Sequence, residues 1–511
     1  MLSRVTACGL LGIDGYLVTV ETDISNGIPA FDIVGLVDIA VKEAKERVRA
    51  AIKNSGYEFP SRRITINLAP ADLKKEGTAY DVPIAAGILA ATGVIPITSL
   101  AGCLLLGELS LDGTLRPVYG VLPKVIAAKQ AGLEKVILPQ ENAIEASVVK
   151  GVQVIPVASL NELVQYTTGQ VQIAPVENEW NAMSQEGSME DMDFADVRGQ
   201  NHVKRALEVA AAGGHNCLMI GSPGSGKTML ARRMPSILPD MTFEEALEVS
   251  KIHSVAGLLP SDTSLATKRP FRAPHHSISS ASLIGGGKIP KPGEVSLAHL
   301  GVLFLDELPE FNKNALEVMR QPLEDGFALI SRVNASITYP CRTTLIAAAN
   351  PCKCGFYLDD TRECTCSFQE VKTYLGKLSG PLLDRIDIQV EVPTLKYQEL
   401  NEEQEKAEPS REIRSRVNKA REHQLKRFTG KGIYCNAQMS HTMINQYCRL
   451  GKEESALMYE AYLKLNLTAR AHNRILKVAR TIADLEGADS INSVHIAEAI
   501  QYRALDRNLF R

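Results

Sequence analysis

Gly221, Ser222, Pro223, Gly224, Ser225, Gly226, Lys227 and Thr228 spell GSPGSGKT, which fits the phosphate-cradling pattern GxxxxGK[ST]. In that pattern glycines let backbone N–H groups turn toward phosphate oxygens. The lysine reaches the β- and γ-phosphates, and the hydroxyl joins a Mg²⁺ shell. A chance glycine-rich turn is the competing reading. Here, though, an apolar strand-like run, CLMI, precedes the motif and a helix-like segment follows it. ATP and Mg²⁺ are therefore the expected cofactors.

About 80 residues downstream, GVLFLDELPEF (301–311) places four apolar residues, Val302 to Leu305, before Asp306 and Glu307. Such a run reads as a buried parallel strand. Carboxylates at its C-terminal end emerge where ligands sit in open α/β sheets. Asp306 is placed to hold Mg²⁺, and Glu307 to orient and deprotonate the attacking water. TTLIAAANP (343–351) is a further apolar strand, ending on Asn350, whose amide can position that water. Arg385, just before a strand in GPLLDRIDIQVEV, fits an arginine finger, a cation often supplied by a neighbouring subunit. Arg470 and Arg474 open the helical C-terminal region. One of them is expected to sense the γ-phosphate, and Arg470 is taken as the candidate.

A second chemistry is written in NPCKCGFYLDDTRECTCS (350–367). Cys352, Cys354, Cys364 and Cys366 form two CxC pairs separated by nine residues. Four thiolates gathered by one hairpin suit tetrahedral Zn²⁺ of a structural kind. Four free, redox-sensitive thiols on a loop are the alternative. RPFRAPHHSISSASLIGGGKIPKPG (269–293) carries Arg269, Arg272, His275, His276, Lys288 and Lys291. Gly285, Gly286 and Gly287 suggest a mobile loop, suited to a phosphate backbone. The two histidines read as packing or phosphate-contact residues. The basic helix at 411–427 reads as a solvated face, with DNA contact the other possibility.

These groups need elements to hold them. The 511 residues are 45% hydrophobic and 23% charged, with net charge −3. That allows two or three domains with sizeable cores and excludes a global positive field. The longest apolar run, 82–96, is shorter than the roughly 20 residues that span a bilayer. The N-terminus is strand-like rather than a signal peptide, so a cytoplasmic location is expected. Residues 1–168 mix strands (63–70, 135–142) with an amphipathic helix, 38–56, whose apolar face is Val41, Ala44, Val48 and Ile52. Residues 169–193 read as a polar linker, 194–395 as βα alternation, and 396–511 as helical. In the last of these Ile475, Val478, Ile482 and Leu485 form one stripe.

In this order the motifs resemble the AAA+ ATPases. The segments 269–307, NPCKCG, SGPLLDRIDI and RILKVARTIADLEG sharpen that to a resemblance, over almost the whole chain, to the magnesium-chelatase-like ComM/YifB family. The resemblance implies an α/β fold class. It comprises an N-terminal Lon-protease-like (ribosomal S5 domain 2-like) α+β domain, a central AAA+ P-loop NTPase domain and a C-terminal helical lid. KKEGTAYDVPIAAGILAATG (74–93) and 112–142 are similar to the serine and lysine segments of Lon proteases. However, Ala79 and Leu122 fall where the catalytic pair belongs, with Thr78 and Lys124 one and two positions off. No proteolysis is expected. The resemblance further implies a homo-oligomer, usually a hexamer, with Arg385 acting in trans. It also implies a helicase-like motor on single-stranded or branched DNA, promoting branch migration in natural transformation. A magnesium-chelatase motor subunit and a non-catalytic, ATP-controlled Lon-like adaptor remain alternatives.

Overall fold

The computed structural model describes residues 1–177, 192–287, 290–332, 335–357, 359, 362–394, 408–465, 467–503 and 505. Lys288 and residues 178–191 of the expected linker lie outside them. The chain divides into two compact units: Met1–Ala182 with Ala246–Ala266, and Met183–Glu245 with Thr267–Arg511. Ala246–Ala266 belongs to the first unit although it follows the phosphate loop in sequence.

The first unit is built on a seven-stranded mixed sheet. Its order is Ala30–Val34, Arg63–Ala69, Asp14–Ser25, Leu2–Leu11, Cys103–Leu105, Lys135–Pro139 and Gln153–Val157. Period-two burial shows why these segments are strands. In Arg63–Ala69 the side chains of Ile64, Ile66 and Leu68 are inaccessible, while their neighbours face outward. The helix Ile39–Asn54 starts at Asp38, whose carboxylate accepts from the Val41 N–H at 2.8 Å. It stops at Ser55, followed by Gly56 at φ +85°. Val41, Ala44, Val48 and Ile52 are its buried face. Asp81–Ala91 is buried on every side, which its apolar run after Asp81 requires, and Asp81 itself is paired with Arg47 at 2.7 Å. Ala246–Ala266 is tied in through Ser254: its carbonyl accepts from the Gly120 N–H at 3.0 Å, and its hydroxyl donates to Glu145.

The second unit holds a five-stranded, wholly parallel sheet in the order Phe271–Arg272, Val302–Leu305, Thr344–Ala349, Cys217–Ile220, Ile388–Glu391. Its strands alternate between two cores. Cys217, Met219, Val302, Phe304, Ile346 and Ala348 face one cluster; Leu218, Ile220, Leu303, Leu305, Ala347 and Ala349 face another. Both faces being covered explains the unbroken apolar runs. The long helix Ala469–Leu485 of the C-terminal region starts at Thr468, whose hydroxyl caps the Ala471 N–H. It buries Ile475, Val478 and Ile482 in the same cluster as the sheet's first face. No described helix is long and apolar enough to cross a membrane.

Candidate nucleotide-binding site

Cys217–Ile220 ends in the loop at Gly221, and the helix Lys227–Ile237 begins as the loop closes. Two glycines here are physical necessities. A Cβ on Gly221 would lie 2.2 Å from the Val392 carbonyl, and Gly226 sits at φ +91°, in the left-handed region. Gln200 braces the loop from outside, donating to the Ser225 and Pro393 carbonyls at 2.9 and 3.0 Å. The motif reading had missed it; its own left-handed backbone (φ 53°) marks it as a held position.

Lys227 is buried, and its ammonium donates to the Gly221 and Ser222 carbonyls at 2.7 and 2.9 Å and to Asn350 Oδ1 at 3.2 Å. Burial pulls its pKa down to about 8, against the opposing pull of Asp306 and Glu307. Thr228 Oγ1 donates to Asp306 Oδ2 at 2.7 Å. A hydroxyl and a carboxylate so placed are hard oxygen donors that fit one corner of a Mg²⁺ shell. Glu307 follows at φ +53°, a costly conformation for a non-glycine residue. That backbone turns its half-exposed carboxylate out of the strand line. His276 Nδ1 lies 3.6 Å from it, and the His276 ring lies 4.0 Å from that of His275, tilted by 35°. Lys227, Thr228, Asp306 and Asn350 therefore meet around one loop, with Glu307 beside them.

Arg385 is elsewhere. Register pairs Cys217 with Ile388 and Ile220 with Glu391 in parallel. Arg385 thus precedes the entry edge of the sheet, on the order of 10 Å along the strands from the loop's edge. Its guanidinium donates to the Arg320 and Pro381 carbonyls at 3.0 and 2.7 Å and pairs with Glu324. Arg470, largely exposed, shares that carboxylate at 3.6 Å. Arg474 pairs instead with Asp387. Asp387 is a buried hub: it accepts from the Asn216 N–H at 3.2 Å and faces His215 Nδ1 at 3.4 Å. Through His215 Nε2 the hub reaches Thr481 Oγ1 at 2.8 Å, on the helix Ala469–Leu485. Burial pushes the Asp387 carboxyl up, but Arg474 and His215 together outweigh it and hold it below the ordinary carboxylate range. Spacing gave no sign of Glu324 or of this hub.

The basic insert differs from its expectation. Arg269 is buried, donating to the Pro239 and Leu300 carbonyls and to Glu245 at 2.8 Å. Arg272 is bidentate on Glu294 at 2.6 and 2.8 Å. Gly285–Gly286 pairs with Lys291–Pro292 as a short hairpin rather than an open loop. Neighbouring carboxylates and carbonyls have turned these cations inward, leaving Lys291 exposed. The helix Ser410–Arg427 also spends three of its five arginines internally, Arg416 on Glu208 and Glu408, Arg421 on the Ala211 and Ala212 carbonyls, and Arg427 on Asp484, while Arg411 is exposed.

In the first unit Ala79 and Leu122 are buried. Lys124, also buried, donates to the Tyr119 carbonyl at 2.8 Å, and burial lowers its pKa to about 8. The four cysteines converge: Cys352, Cys354, Cys364 and Cys366 bring their sulfurs within 4.8 Å of one another, a donor set that can hold a tetrahedral cation.

Three family models match the chain. The model described as magnesium chelatase, subunit ChlI, covers residues 193–400. Those for subunit ChlI of Mg-chelatase and its C-terminal part cover 20–142 and 407–503. The chain is 46% identical to competence protein ComM of Haemophilus influenzae, over 99% of this chain and 98% of that protein. It is 43% identical to the uncharacterized protein YifB of Escherichia coli, over 99% and 98%. Lon protease of Rhizobium meliloti matches at 27% identity over 38% of this chain and 25% of its own length.

Proposed function

The chain belongs to the ComM/YifB family of magnesium-chelatase-like proteins and carries an AAA+ ATPase of that type; from this we propose that it is an ATP-hydrolysing ring motor that moves along DNA. The observation that carries the ring is the separation of Arg385 from its own chain's phosphate loop across the sheet. That separation supports an adjoining copy, rather than the same chain, as the holder of the nucleotide that Arg385 serves. Arg470, on the same carboxylate as Arg385, accompanies it in trans. A hexamer is the expected closure.

At each nucleotide the loop amides and Lys227 bind the phosphates. Thr228 and Asp306 would hold Mg²⁺, which would supply charge neutralisation at the phosphates. Asn350 positions the lytic water, and Glu307 takes its proton. On assembly Arg385 exchanges Glu324 for the neighbour's γ-phosphate, so finger engagement is coupled to assembly. The first unit serves as a Lon-like, non-proteolytic module, with Ala79 in place of a nucleophile. The four cysteines would hold structural Zn²⁺.

DNA is chosen because a relative at 46% identity is named a competence protein; competence is the uptake of DNA, and branch migration in recombination suits a ring motor. The inward-turned Arg269 and Arg272 do not support a basic pore insert. The test is ATP turnover with forked and blunt DNA at low salt. Stimulation by forked or single-stranded DNA is expected. Turnover indifferent to DNA would instead favour a motor subunit of the chelatase kind, and an absence of turnover would favour an ATP-controlled adaptor.

A further inference from the structure

The cysteine knuckle has a close geometry. Cys352 and Cys354 sulfurs are 3.2 Å apart, Cys352 and Cys364 3.7 Å, Cys354 and Cys364 3.5 Å. Thiolates bound at about 2.3 Å to one tetrahedral ion lie roughly 3.8 Å apart. The set is thus sized for a single ion. An iron–sulfur cluster, whose thiolates bind different irons, needs a wider spread. Cys352 is fully buried against Val371, Tyr374 and Leu375; the other three are half-buried.

Its neighbours are the nucleotide groups. Gly355 sits at φ +90°, and a Cβ there would lie 2.5 Å from Pro223 Cδ in the phosphate loop. Asn350, two residues before Cys352, accepts from Lys227. Tyr374 hydrogen-bonds to Glu310, in the turn that follows Glu307. One small loop therefore touches the phosphate loop, the lysine's amide partner and the carboxylate turn.

We propose that Zn²⁺ on these four thiolates is the brace that holds the phosphate loop and Asn350 in their binding shape, so that loss of the ion lowers affinity for ATP. This rests on the reading of Gly221–Thr228 as the ATP loop. The loop has a small apolar core of its own, and a thiolate-bound ion supplies the missing folding free energy, the remaining thiol protons leaving as it binds. Pro223 transmits the brace because rigid ring and backbone meet without an intervening side chain.

The experiment uses the full chain, with zinc content and ATP affinity (by calorimetry with Mg²⁺) as separate readouts. Wild type should carry one zinc per chain. Its Co²⁺-substituted form should show the intense visible bands of tetrahedral thiolate. Cys354→Ser with Cys366→Ser should lose zinc and bind ATP about tenfold more weakly or worse. Gly355→Ala should keep zinc yet also bind several-fold more weakly. If the double variant does not fold, as judged by circular dichroism, zinc stripped from wild type with a Mg²⁺-sparing chelator replaces it. Well under one zinc per chain, or an iron chromophore, overturns the metal assignment. Unchanged ATP affinity in both Gly355→Ala and zinc-free protein overturns the brace. Zinc-loaded wild type that binds no ATP refutes the phosphate-loop reading itself.

Discussion

Lys227 makes ATP affinity depend on pH in a calculable way. Burial holds its ammonium at a pKa of about 8 in the free chain, against an ordinary value of 10.5. A bound triphosphate favours the charged form and restores at least that ordinary value. The sign follows. The free chain keeps its proton below pH 8 and gives it up above, so binding above pH 8 must recover a proton from solvent. With pKa values of about 8 free and 10.5 bound, linkage makes ATP binding about twentyfold weaker at pH 9.5 than at pH 7.5, or ~1.8 kcal/mol. Proton uptake per ATP bound should rise from about 0.2 at pH 7.5 to about 0.9 near pH 9.25. Calorimetry in two buffers of different ionisation enthalpy reads that uptake directly. Lys227→Arg, always charged, should flatten the profile if it binds at all. Uptake near zero at pH 9.25 in wild type would refute the argument, because it would mean that burial does not lower this lysine's pKa in the free chain.

Glu307→Gln should leave ATP binding intact and cut single-turnover hydrolysis by about 10²–10⁴. Arg385→Ala should lower turnover by about 10³ while ATP affinity in the monomeric fraction stays within a few-fold. Mixing it with Lys227→Ala chains should restore activity at mixed interfaces, since one chain lends the finger and the other the loop. Asp387→Asn removes the charge that Arg474 and His215 face and one of the two oxygens they share with the Asn216 amide, and should destabilise the second unit by about 3–5 kcal/mol in urea unfolding.

Much of the nucleotide site was readable without a fold because its information is local. The run Val302–Leu305 has to be a strand covered on both faces, so Asp306 and Glu307 emerge at its end. Gly221–Thr228 carries its own turn chemistry, and Lys227 can only face inward from the start of its helix. The helix Ile39–Asn54 was equally plain, since its cap, apolar face and stop are contiguous. What required the folded chain was every relation between distant residues. Glu324 as joint partner of Arg385 and Arg470 depends on packing of three separate segments. Arg269 and Arg272 looked like free cations because spacing cannot show that Glu245 and Glu294 neutralise them. The transfer of Ala246–Ala266 to the first unit, and the contact of Gly355 with Pro223, are likewise products of packing. Local chemistry is set by φ/ψ preferences and period; pairing across long separations is decided by which buried charges and close-packed surfaces can be satisfied together.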